Sequence, residues 1–118
     1  MKKARRRILI SLVILSLLTY CREDDGDNIT PACIERIIQA IKRADVQNFP
    51  SQVWRWEDAT KIYYYITADC CDQFSALYDL ECRLICAPDG GLTGGGDGRC
   101  PTFGKDLKKT LVWQDPRK

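Results

Sequence analysis

The 118-residue chain has room for one domain, and it lacks histidine, which removes the commonest general base and the commonest metal ligand together. Its formal charge of +2 hides an asymmetry: five of its eighteen basic residues lie in the first seven positions, and all sixteen acids follow residue 20. Beyond residue 20 thirteen basic residues face sixteen acidic ones, a net −3, and so mildly acidic a body argues against a nucleic-acid partner. Seven cysteines in so short a chain point to an oxidising compartment.

Met1 to Arg7 is basic, and Ile8 to Leu18 is an apolar run of eleven residues. A membrane-spanning helix needs about 20 apolar residues, so this run is too short to span and has the layout of a secretory signal peptide over residues 1–20. Leu18-Thr19-Tyr20-Cys21 resembles a bacterial lipobox, in which the cysteine thiol is acylated and becomes the new N-terminus. Tyr20 stands where that motif usually has a small residue. Cys21 is thus the expected lipidation site, and the membrane, reached through that lipid, is the first expected partner. A tether follows over residues 21–32. Its run Arg22-Glu23-Asp24-Asp25-Gly26-Asp27 has the composition of a solvated linker and is also similar to the acidic signals that send Bacteroidota lipoproteins to the cell surface.

The domain proper is expected over residues 33–118. Cys33 to Ala44 places Ile34, Ile37, Ile38 and Ile41 at helical spacing, with Thr30 as a cap and Pro31 in the first turn. Asn48-Phe49-Pro50-Ser51 breaks the helix. Gln52–Glu57 and Lys61–Thr67 then read as a hairpin in which Trp54 and Trp56 alternate with Arg55 and Glu57, giving one buried face. Its aromatics predict cross-strand core pairs, with a stacking platform for bases or sugars as the alternative. Phe74–Tyr78 and Arg83–Cys86 read as a second hairpin, and residues 87–101, six glycines in fifteen, as a loop. The tail from Thr102 is either a last helical turn on the sheet or a frayed end. The fold class is therefore α+β: one helix on a short antiparallel sheet of two hairpins.

With Cys21 acylated, Cys33, Cys70, Cys71, Cys82, Cys86 and Cys100 remain, an even set that implies three disulfides. A core this small roughly balances chain entropy, and each bridge adds about 2–4 kcal/mol. Cys70 and Cys71 are not expected to pair with each other, because a disulfide favours Cα atoms about 5.5 Å apart and neighbours sit about 3.8 Å apart. A four-thiolate metal site from Cys70, Cys71, Cys82 and Cys86 is disfavoured in an exported protein, and no metal or cofactor is expected.

No nucleophile with a neighbouring base is visible, and the chain is read as non-enzymatic. The loop holds the candidate binding residues Asp89, Gly90, Gly91, Asp97 and Arg99. Its N–H groups could form an anion nest, Asp89 and Asp97 could hold calcium, or the loop is a tight structural turn on which a protein or glycan partner docks.

Two resemblances follow. Cys70-Cys71-Asp72-Gln73, Leu77-Tyr78-Asp79, Ile85-Cys86-Ala87-Pro88-Asp89-Gly90-Gly91 and Gly96-Asp97-Gly98-Arg99-Cys100-Pro101 resemble an uncharacterised family of small Bacteroidota lipoproteins. That implies an envelope lipoprotein with a compact α+β domain, and no activity; the expected location is the outer membrane. Cys71-x6-Tyr78-x3-Cys82-x3-Cys86 also has the spacing of a Kazal-type protease inhibitor, which implies the pairs Cys71–Cys100, Cys70–Cys82 and Cys33–Cys86. The inhibitory loop of that family would fall between Cys70 and Cys71, where there are no residues.

The mass of the intact detergent-extracted protein is expected to correspond to a chain beginning at an acylated Cys21, taking up six alkyl groups only after reduction. An unprocessed N-terminus, or thiols that alkylate without reduction, overturns the lipoprotein reading.

Overall fold

The computed structural model describes residues 29–117. The signal peptide read over 1–20, Cys21 and the tether as far as residue 28 lie outside the described residues.

Helix α1 runs Ala32–Arg43 and buries Ile34 and Ile38, with Ile37 and Ile41 packed beside them. Pro31 takes the N-cap position, and its carbonyl accepts from the N–H groups of Ile34 and Glu35 at 2.9 and 3.0 Å. No side chain caps this end, contrary to the role expected of Thr30. Glu35 in the first turn and Lys42 and Arg43 in the last suit the helix dipole.

Strands β1 (Gln52–Asp58) and β2 (Lys61–Ile66) form the expected hairpin, with Trp54 opposite Tyr65 and Trp56 opposite Tyr63. Strands β3 (Ala76–Tyr78) and β4 (Leu84–Cys86) form the second, shorter than its sequence signature. Asp79 shapes its turn: Oδ1 accepts from the N–H groups of Glu81 and Arg83, and Oδ2 from Arg83 Nε at 2.7 Å. Burial alone would raise the Asp79 pKa, but the donors and charge of Arg83 and the N–H of Glu81 outweigh it and hold the carboxyl below its ordinary value.

The tail corrects the sequence reading. It is neither a helical turn nor frayed but a fifth strand, β5 (Lys108–Gln114), antiparallel to β1. The sheet order is β4-β3-β2-β1-β5. The i, i+4 spacing of Phe103, Leu107 and Leu111 mimics a helix, but the open edge of β1 offers unpaired N–H and C=O groups, and Thr110, Val112 and Trp113 favour a strand. A register shift between Val53 and Trp54 accompanies the packing of both Val112 and Trp113 into the helix-side core.

One buried face was expected of β1, and the sheet has two. Val53, Tyr64 and Ile66 meet α1 on one side. On the other, Trp56, Tyr63, Leu77 and Cys86 lie beneath Cys100, Phe103 and Leu107. The fold is α+β, as the element pattern predicts, with five antiparallel strands rather than four. No helix of the described residues is long and apolar enough to cross a membrane.

The chain end is clamped. Asp115, 4% exposed, receives Arg117 Nη2 at 2.7 Å and Nε at 3.0 Å. The same guanidinium donates to the carbonyls of Ile41, Lys42 and Ala44, which satisfies the C-terminal turn of α1. Hydrogen bonds from the Arg117 side chain, then from its backbone N–H, hold the Asp115 carboxyl below the ordinary carboxylate pKa. A depressed folded-state pKa contributes stability that is present above the unfolded value of about 4 and lost as pH falls through the folded value. Asp115→Asn is therefore expected to lower the melting temperature at pH 7 and to make the decline below pH 4 shallower, with the Asp79 part remaining. Unchanged acid unfolding in the variant would remove the clamp from the account.

Candidate functional site

The three bridges are Cys33–Cys82, Cys70–Cys71 and Cys86–Cys100. Two expectations are corrected here. The Kazal-like spacing implied three other pairs, none of which forms. Cys70 and Cys71 do join each other, with Cα atoms 3.7 Å apart. The fold brings Cys33 beside Cys82 and Cys86 beside Cys100, so among the described residues each of the adjacent pair has only its neighbour left. Cys71 lies in a turn at φ +52°, with Gln73 N–H donating to the Cys70 carbonyl.

The glycine-rich loop between Cys86 and Cys100 is internally bonded rather than open. The N–H groups of Gly90, Gly94, Gly96 and Asp97 donate to carbonyls within the loop, Gly95 N–H to the Thr93 hydroxyl, and Gly91 N–H to Gln73. An anion nest needs such donors free and convergent, and these six are already engaged. Asp97 Oδ1 accepts from Arg99 N–H at 2.9 Å, and both residues are exposed at their own turn. Among the described residues no group of three or more Cys, Asp or Glu side chains gathers into a metal-binding cluster. Gly90 and Gly91 pack against Gln73 and Phe74, the exposed ring of which lies beside Leu92.

Of the five loop candidates, Asp89 lines the aromatic cleft of the sheet, and Gly91 lines a separate hollow with Asp72, Phe74 and Leu92. Ser75 holds the Asp89 backbone by three hydrogen bonds: Ser75 N–H and hydroxyl donate to the Asp89 carbonyl, and Asp89 N–H donates to the Ser75 hydroxyl. The Asp89 carboxylate Oδ2 accepts from the Tyr65 hydroxyl at 2.7 Å. Burial, then this acceptor and its charge, raise the Tyr65 pKa well above the ordinary phenol value, so the hydroxyl stays a donor.

Around this pair Trp54, Trp56 and Lys109 complete a cleft of about 210 Å³. Trp56 is buried; Trp54 and Tyr65 are half-buried. Trp56 stacks on Tyr65 with centroids 5.1 Å apart and meets Phe103 edge-on at 5.4 Å. Lys109, opposite Trp56 in the β1–β5 register, puts Nζ 4.1 Å from the indole centroid. Gln52 Oε1 accepts from Trp54 Nε1 at 2.9 Å and fixes that ring. The tryptophans and Tyr65 were legible as strand aromatics, but Lys109 was not, because it reaches the cleft only through the strand that sequence reading missed.

Three strands and a stapled loop thus define a small disulfide-rich α+β domain with an aromatic cleft on the sheet face away from the helix. Residues 39–115 match the family described as a domain of unknown function (DUF6970), and the chain belongs to that family. The match begins within α1 and takes in all five strands, the glycine-rich loop and every cleft residue. No curated protein and no solved structure matches the chain.

The loop geometry has a measurable consequence. Gly96 (φ +76°) has its Cβ direction blocked by the Ala87 carbonyl oxygen, whereas Gly94 (φ +74°) has open space there. A left-handed non-glycine residue costs about 1–2 kcal/mol. Gly94→Ala is expected to destabilise urea unfolding by about that amount, and Gly96→Ala by clearly more. Equal losses would mean that the loop is not packed on Ala87.

Proposed function

We propose that this chain is a non-enzymatic, lipid-anchored protein of the cell envelope, held at the outer membrane through Cys21 and presenting the Trp54–Tyr65 cleft to a partner. The anchor reading rests on the basic segment, the apolar run and the lipobox-like Leu18–Cys21, and the acidic tether supports a surface-facing position. The resemblance of the 70–101 motifs to small Bacteroidota lipoproteins supports the same address.

The observation that carries binding is the cleft itself. Two half-buried aromatic rings, one carboxylate and one ammonium converge on rigid strands and a pinned loop, the arrangement that favours preorganised recognition. Support for a non-catalytic role comes from the same place. Ser75, the serine beside the carboxylate, has its hydroxyl engaged by the Asp89 backbone, and the chain has no histidine to activate it.

Detergent-extracted protein is expected to retain an envelope component on pull-down. Trp54→Ala should weaken that retention about tenfold or more, since aromatic anchors in a cleft carry about 1–2 kcal/mol or more of binding energy. Retention that is indifferent to Trp54→Ala, with the fold intact by circular dichroism, would overturn the cleft as the binding surface.

A further inference from the structure

We propose that the cleft binds one neutral pyranose unit of a glycan, a step that deepens the binding reading above and rests on it. Size sets the first limit. Pockets that enclose a drug-sized ligand span about 300–1,000 Å³; this one holds about 210 Å³, room for a single ring with the rest of the ligand outside.

The walls set the second limit. Trp54 and Tyr65 are half-buried aromatic walls, and Trp56, buried and stacked on Tyr65, forms the floor. An aromatic face suits an apolar ligand face, and a pyranose has one in its axial C–H groups. Its equatorial hydroxyls then point to the rim, where they need both donors and acceptors. The rim supplies both. Among the described residues Asp89 Oδ2 is engaged by Tyr65, while Oδ1 accepts no protein hydrogen bond and remains an acceptor. Lys109 supplies N–H donors at the opposite charge.

Charge then discriminates among ligands that stack. A cation has no vacant ring face over the floor, because Lys109 Nζ already stands 4.1 Å from the Trp56 centroid. An anion, a nucleic-acid phosphate included, would meet the Asp89 carboxylate. One carboxylate and one ammonium sum to zero, which matches a neutral polyol that hydrogen-bonds to both.

The test uses detergent-solubilised full-length protein and an immobilised panel of neutral oligosaccharides terminated by glucose, galactose, mannose or N-acetylglucosamine. Sialyl-terminated glycans and single-stranded oligo-dT serve as charged comparators, and tryptophan emission is followed in parallel. At least one neutral terminus is expected to bind saturably and shift the emission. Trp54→Ala should weaken it about tenfold or more, Asp89→Asn should weaken it with the fold retained, and the remote, exposed Leu92→Ala should leave it unchanged. Binding only to the charged comparators overturns the proposal, as does neutral-glycan binding that survives Trp54→Ala. If no glycan binds while envelope capture still depends on Trp54, the saccharide assignment fails and the binding-module reading stands. If capture fails as well, both fall.

Discussion

The hairpin β1–β2 carries large apolar side chains on both faces, and a sheet placed this way is stable only if both faces are kept from water. Fully burying one such side chain is worth about 1.5–3 kcal/mol, so leaving either face open would forfeit much of a small domain's marginal stability. Helix α1 covers Val53, Tyr64 and Ile66; the Cys100–Leu107 segment covers Trp56, Tyr63 and Leu77. A single helix cannot do both, which is why an irregular segment is recruited as the second layer.

Two disulfides act where those layers join. Cys33–Cys82, spanning 49 residues, ties the helix to the β3–β4 turn, and Cys86–Cys100, spanning 14, anchors the start of the irregular layer to the end of β4. In the chain-entropy account loops of these lengths are each worth about 3–4 kcal/mol. Cys70–Cys71 closes no loop of consequence and does not hold either layer. The Arg117 guanidinium plays a matching part without sulfur, joining the end of the chain to the end of the helix.

The cleft is a by-product of this layering placed where chemistry can use it. The irregular layer covers Trp56 but stops short of Trp54 and Tyr65, so aromatic surface stays open at one margin. Ser75 fixes Asp89 at that margin through backbone bonds, and β5 brings Lys109 to the other side. The groups that would meet a ligand are therefore held by strand pairing and a pinned loop rather than by free side chains.

Much of this was legible in the residues. Four isoleucines at helical spacing, the Trp-x-Trp and Tyr-Tyr-Tyr strands, and an even set of six cysteines after Cys21 are local patterns, and local patterns determine local structure: the helix, the hairpins and the presence of three bridges. Asp89 could be picked out because an acid in a glycine loop is conspicuous. What only the tertiary structure decided is pairing across distance. The tail's i, i+4 spacing is compatible with helix, and only the free edge of β1 makes it a strand. Cys70 and Cys71 bond to each other because, among the described residues, the fold gives the other four cysteines their own partners. Lys109 becomes a cleft residue through strand pairing, and most of the glycine-loop amides are taken up by bonds within the loop, neither of which sequence spacing encodes. Periodicity reports which face a residue presents, and the partner for that face is settled by the packing of the whole chain.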